Sequence, residues 1–201
     1  MIPYGTFTFF LIAFIVLIPV IILGFLGKRS YIYNGISTAI MIVIIFASDK
    51  HNLLGQKYLS AQLFCFIIYV IWQVALIMYY YQSRQRKNTF TKFVTIMVLS
   101  ILPLAIVKIL QSSWLGGHQI HFHESKLIEF VGFLGISYVT FKSVQLIMEI
   151  RDGSIKEIKV GKLIQFISFF PTISSGPIDR YKRYVKDDKK VPSGAEYREL
   201  V

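Results

Sequence analysis

The apolar residues of this chain run in long blocks separated by short charged stretches, with no alternation at strand spacing. In residues 5–26 nothing is ionisable, and sixteen residues are Leu, Ile, Val or Phe. Each such residue favours insertion by roughly 0.3 to 0.6 kcal/mol, so the block inserts with about 5 to 9 kcal/mol in its favour before polar and proline corrections. A cleaved signal peptide competes with this reading. It asks for a positively charged start, a shorter core and a small-residue cleavage site. Here the start is Met1-Ile2-Pro3-Tyr4, the core is longer, and Lys28 and Arg29 follow it. Pro19 predicts a kinked helix that still spans.

Four further blocks follow, at residues 31–48, 60–81, 93–112 and 127–150. The third holds Trp72 and ends on Tyr79, Tyr80 and Tyr81, an interfacial anchor. Backbone amides in lipid must be satisfied within their own segment, so the blocks are predicted to be helices. An outer-membrane barrel is excluded, because its strands are about ten residues long and alternate. The fold class expected is an all-α polytopic membrane protein, with about five transmembrane helices.

Charge then sets orientation. The formal balance is +11. The basic residues flank the apolar blocks, which argues against a nucleic-acid partner and for membrane lipids. Lys28, Arg29, Arg84, Arg86, Lys87, Lys92, Arg151, Lys156, Lys159 and Lys162 fall on one side, against Lys50, Lys57 and Lys126 on the other. The positive-inside rule places the N-terminus outside and Arg84 to Lys92 in the cytoplasm. Cys65 is the single cysteine, so no intrachain disulfide forms, and a buried thiol is expected.

Residues 1–112 read as four scaffold helices with little polar chemistry, and Lys108 can snorkel to the headgroups. Residues 113–126 read as an extracellular loop. His118, His121 and His123 within it have the composition of a metal ligand set, but no cysteine or second cluster supports one, so a plain polar loop is the preferred reading and no metal is expected.

Residues 127–150 differ from the earlier blocks. Tyr138, Lys142, Gln145 and Glu149 lie within about 60° of one another on a helix, forming one polar stripe. Lys142 sits about 12 Å from the cytoplasmic end, where a charge facing lipid costs a few kcal/mol. The stripe is therefore expected to face protein or a watery cavity, with a buried ion pair or snorkelling as the structural alternatives. Asp152-Gly153 signals a turn. Residues 163–173 are apolar but too short to cross a core of ~30 Å, and Pro171 and residues 174–177 interrupt them. A re-entrant or interfacial segment is predicted, and such backbone is tolerated only in protein or along a cavity. Residues 151–181 thus form a cytoplasmic loop plus this segment, and residues 182–201 a charged cytoplasmic stretch.

Residues 135–153 (GISYVTFKSVQLIMEIRDG) resemble a signature helix of the membrane-bound O-acyltransferases, and residues 170–181 (FPTISSGPIDRY) resemble a second signature. The pair is most similar to the branch that places D-alanine on teichoic acids. The polysaccharide O-acetyltransferases of the alginate type have related motifs, usually with Gln where Lys142 stands. The resemblance implies a helical ring with a thinned centre and a tunnel between the two faces. It implies that D-alanine arrives as a thioester on the phosphopantetheine arm of a cytoplasmic D-alanyl carrier protein. The acceptor implied is a hydroxyl of lipoteichoic acid outside the cell. No bound cofactor and no metal are implied.

The family's base is a histidine acting on the acceptor hydroxyl. His51, His118, His121 and His123 do not match its position, so no catalytic residue is assigned in this chain. The resemblance implies an N-terminal portion of the enzyme, inactive alone. Ser137, Tyr138, Lys142, Gln145 and Glu149 are candidates to line or brace the tunnel, with Lys142 offsetting a phosphate or oxyanion or pairing with a carboxylate. Ser174, Ser175, Gly176 and Pro177 would shape the re-entrant turn, and Asp179 and Arg180 would tie it to a neighbouring helix. A transporter or channel, and a non-catalytic assembly subunit, are the alternative classes. The two signatures and the lack of an inverted repeat oppose the first.

Overall fold

A computed structural model describes residues 7–26, 28, 31–47, 55–86, 89–111, 135–173 and 179–189. The histidine-bearing loop, residues 127–134 of the predicted fifth span, Ser174, Ser175, Gly176 and Pro177, and residues 190–201 lie outside them. The described elements are helices: α1 (Phe7–Phe25), α2 (Tyr31–Ala47), α3 (Gly55–Arg86), α4 (Phe90–Gln111), α5 (Ile136–Arg151), α6 (Val160–Ser168) and α7 (Tyr181–Lys189), with a 3₁₀ turn at Phe170–Thr172. There is no strand among the described residues.

The four leading apolar blocks become α1 to α4. Within α3 and α4, Gln62–Arg86 and Phe90–Ile109 are long and apolar enough to cross a membrane, while Phe9–Phe25 and Ile32–Phe46 are apolar but shorter. Their outer faces are strongly apolar: Phe64 is 63% exposed and Ile71 61%. Exposed apolar surface on this scale marks a lipid-facing protein rather than a water-soluble one. α3 runs past the tyrosine anchor to Arg86, because the Gln-Ser-Arg-Gln-Arg run after Tyr81 contains no helix breaker.

The chain divides into two compact units. In the first, α1 packs on α2, and the Tyr33 hydroxyl donates to the Val16 carbonyl at 3.3 Å. Val16 precedes Pro19 by three residues. A proline in a helix lacks the donor for the preceding turn and opens its carbonyls, and a neighbouring helix here supplies one.

The second unit, residues 61–182, repeats this device around Pro103 of α4. The Leu99 carbonyl, left without its i+4 donor, accepts from Trp72 Nε1 at 3.4 Å. The Ser100 carbonyl accepts from Gln73 Nε2 at 3.0 Å. α5 packs chiefly on α4, and α6 packs on α5.

Within the predicted span over residues 127–150, residues 127–134 lie outside the described residues, and the described helix begins at Ile136, after Gly135 at φ 92. That left-handed conformation cannot continue a right-handed helix into α5 from the N-terminal side. At 16 residues, α5 is about 24 Å long, shorter than the ~30 Å core. The short apolar segment behaves as its length requires: nine residues of helix, then the 3₁₀ turn with Pro171 in its first turn.

Candidate functional site where the two motifs interlock

Lys142 joins the two motif segments. Its side chain is 2% exposed, and its ammonium donates to the Phe166 carbonyl at 3.1 Å, the Ile167 carbonyl at 3.4 Å and the Thr172 hydroxyl. Thr172 Oγ1 donates onward to the Phe169 carbonyl at 2.9 Å. Phe166 and Ile167 lie in the last turn of α6, where carbonyls lack helical donors and the helix dipole is negative. An ammonium has three N–H donors, and all three are used. The cation also lies 5.5 Å from the centroid of the Phe166 ring, a favourable cation–π distance. No carboxylate among the described residues pairs with Lys142.

Glu149, two turns further along α5, makes the complementary contact. Its Oε2 accepts from the Lys182 backbone N–H at 3.3 Å, in the first turn of α7. An anion is favoured at that positive helix end. Arg180 and Lys182 place positive charge near this carboxylate, and Asp179 negative charge. Asp179 Oδ1 also accepts from the Arg180 N–H at 2.8 Å. The stripe thus sets a cation against the end of α6 and an anion against the start of α7.

Gly135 makes the third join. A Cβ at this position would meet the Ile173 side chain and lie 2.8 Å from the Ile173 carbonyl oxygen. Glycine is needed here both for its positive φ and for this close approach. Tyr181, the last residue of the second motif, is buried and meets the Phe166 ring edge-on at 5.4 Å. Ser137, Tyr138 and Gln145 are half-buried on α5.

A buried polar chain runs through the supposedly apolar scaffold, and hydropathy reading missed it. Ser100 Oγ donates to Gln73 Oε1 at 2.7 Å, and Gln73 Nε2 donates to the Tyr69 hydroxyl at 2.8 Å. Tyr69 and Thr140 hydroxyls are 2.6 Å apart. Thr140 Oγ1 donates to the Ile136 carbonyl at 2.7 Å, so its single proton is used and Tyr69 is the donor to it. The chain ties α3, α4 and α5 together beside the stripe. The signal was a glutamine and a serine inside otherwise apolar spans. On α6, the buried Gln165 Oε1 has no hydrogen-bond partner among the described residues.

At its other end α5 is fastened to α3 and α4. Arg84 Nε donates to the Arg151 carbonyl at 3.2 Å and the Tyr81 hydroxyl to the Lys156 carbonyl at 3.0 Å. The Arg151 guanidinium lies 4.2 Å from the centroid of Phe93. Gly153, at φ 73, makes the expected turn.

Among the described residues the protein is all-helical, with helices apolar enough to cross a membrane, and a short polar helix clamps a broken apolar segment; residues 135–153 and 170–181 both lie within the stretch matched by its relatives. Across its whole length the chain is related to proteins named teichoic acid D-alanyltransferase. It is 45% identical over 202 residues to the one of Bacillus subtilis (strain 168), a match covering 100% of this chain and 47% of that protein. It is 41% identical to that of Lacticaseibacillus rhamnosus, covering 99% of this chain and 45% of the relative. For Streptococcus thermophilus the figures are 32%, 96% and 42%. The chain spans about half the length of the curated relatives it matches. No family model matches it.

Proposed function

We propose that this chain contributes to a membrane O-acyltransferase that moves D-alanine from a carrier-protein thioester to hydroxyls of teichoic acid. The whole-length relation to proteins named for that transfer carries the reading. The donor is the phosphopantetheine thioester of a cytoplasmic D-alanyl carrier protein, and the acceptor is lipoteichoic acid outside. The acceptor oxygen attacks the thioester carbonyl, its proton passes to a base, and the C–S bond breaks to release the thiol. No residue of this chain is assigned the base, and the chain alone is not expected to turn over.

The role we assign to this chain is to build the path. Five helices cross the membrane with the N-terminus outside, α5 doing so where the centre is thinned to its length of about 24 Å, and residues 163–173 enter without crossing. Lys142 and Glu149 position that segment. Full use of the Lys142 donors favours positioning over contact with an oxyanion or phosphate. Ser137, Tyr138 and Gln145, with Ser174, Ser175, Gly176 and Pro177 outside the described residues, are the proposed path lining. Asp179 and Arg180 steady the segment near Glu149.

The test is to supply carrier loaded with radiolabelled D-alanine, and teichoic acid, to membranes containing this chain in place of the matching stretch of the Bacillus subtilis relative. Label ester-linked to teichoic acid supports the proposal. Uptake of free D-alanine into vesicles without ester formation would refute it in favour of transport.

A further inference from the structure

Arg84 and Arg151 are both anchored where α3 ends and α4 begins. Arg84 gives its Nε to the Arg151 carbonyl, and its outer nitrogens lie against Gly153, where a Cβ would be 3.0 Å from Nη2. Arg151 is stacked on Phe93 and Phe90, 4.2 and 5.3 Å from their centroids. Stacking occupies the face of a guanidinium and leaves the N–H groups at its edge directed outward. Neither guanidinium has a carboxylate partner among the described residues.

We propose that Arg84 and Arg151 form a binding site for the phosphate of an anionic phospholipid headgroup. Guanidiniums recognise phosphate through parallel N–H donors. The setting favours a lipid. The cluster stands at the shared end of the two span-length helices, Gln62–Arg86 and Phe90–Ile109. Phe90 and Tyr79, 66% and 58% exposed, flank it as interfacial aromatics do. Basic pockets between transmembrane helices commonly hold anionic headgroups. The site rests on the membrane reading and does not depend on the transferase reading.

The experiment is native mass spectrometry of the purified protein titrated with phosphatidylglycerol or phosphatidylcholine. The wild type is expected to retain phosphatidylglycerol preferentially. Arg84→Gln and Arg151→Gln should each weaken that retention about fivefold. Arg86→Gln, at the same helix end, should change it less than about twofold. Equal losses for Arg86→Gln and Arg84→Gln would overturn the proposal in favour of diffuse attraction. Displacement of the lipid by equimolar soluble glycerol phosphate would overturn it in favour of a free phosphate ligand. Unchanged phosphatidylcholine retention in each variant shows that the protein remains folded.

Discussion

The ammonium of Lys142 lies 3.1 Å from the carbonyl oxygen of Phe166, across a sequence separation of 24 residues. This contact joins the helix of the first motif to the broken segment that leads into the second. Removing the amine would leave buried carbonyls at the end of α6 unpaired, at about 1–3 kcal/mol each. Lys142→Met is therefore expected to lower the thermal unfolding midpoint and to expose residues 160–173 to hydrogen exchange. Lys142→Arg should recover little, because a planar fork cannot direct three donors as the ammonium does. Wild-type exchange in Lys142→Met would contradict the clamp.

Gly135 faces Ile173 at backbone contact distance. Gly135→Ala should cost about 1–2 kcal/mol from the left-handed backbone alone, with the clash added. Ile173→Ala in the same chain should recover only part of the loss, since the Ile173 carbonyl remains in the way. Denaturant unfolding of the wild type and the two variants measures this.

The chain Ser100–Gln73–Tyr69–Thr140 makes a quantitative demand. A double-mutant cycle of Tyr69→Phe and Thr140→Val, read by unfolding in detergent, should give a coupling of about 0.6 to 1.7 kcal/mol. A coupling near zero would mean that the 2.6 Å contact contributes nothing to stability.

These contacts show what could be read from the residues and what could not. Hydropathy located α1 to α4 because each block's composition carries its own insertion energy. The stripe on α5 was legible because Tyr138, Lys142, Gln145 and Glu149 recur at helical spacing. The partners of Lys142 were not, because backbone carbonyls exist at every position and leave no mark on composition. Gly135 stands within the first motif, but its role depends on Ile173, 38 positions away. Gln73 and Ser100 were passed over because one polar side chain barely changes the mean hydropathy of a long apolar run.

Topology supplies a further prediction. With single cysteines at Thr6 and Asn88 in a Cys65→Ser background, an impermeant thiol reagent applied to intact cells should label position 6 and spare position 88. The reverse pattern would invert the proposed orientation.

The most direct measurement is functional replacement. This chain is substituted for the matching stretch of the Bacillus subtilis teichoic acid D-alanyltransferase, and ester-linked D-alanine on teichoic acid is measured in cells lacking the native enzyme. The predicted result is D-alanylation well above the deletion background, lost again in the Lys142→Met chimera. A chimera that reaches the membrane at normal levels yet leaves teichoic acid without D-alanine would contradict the assignment.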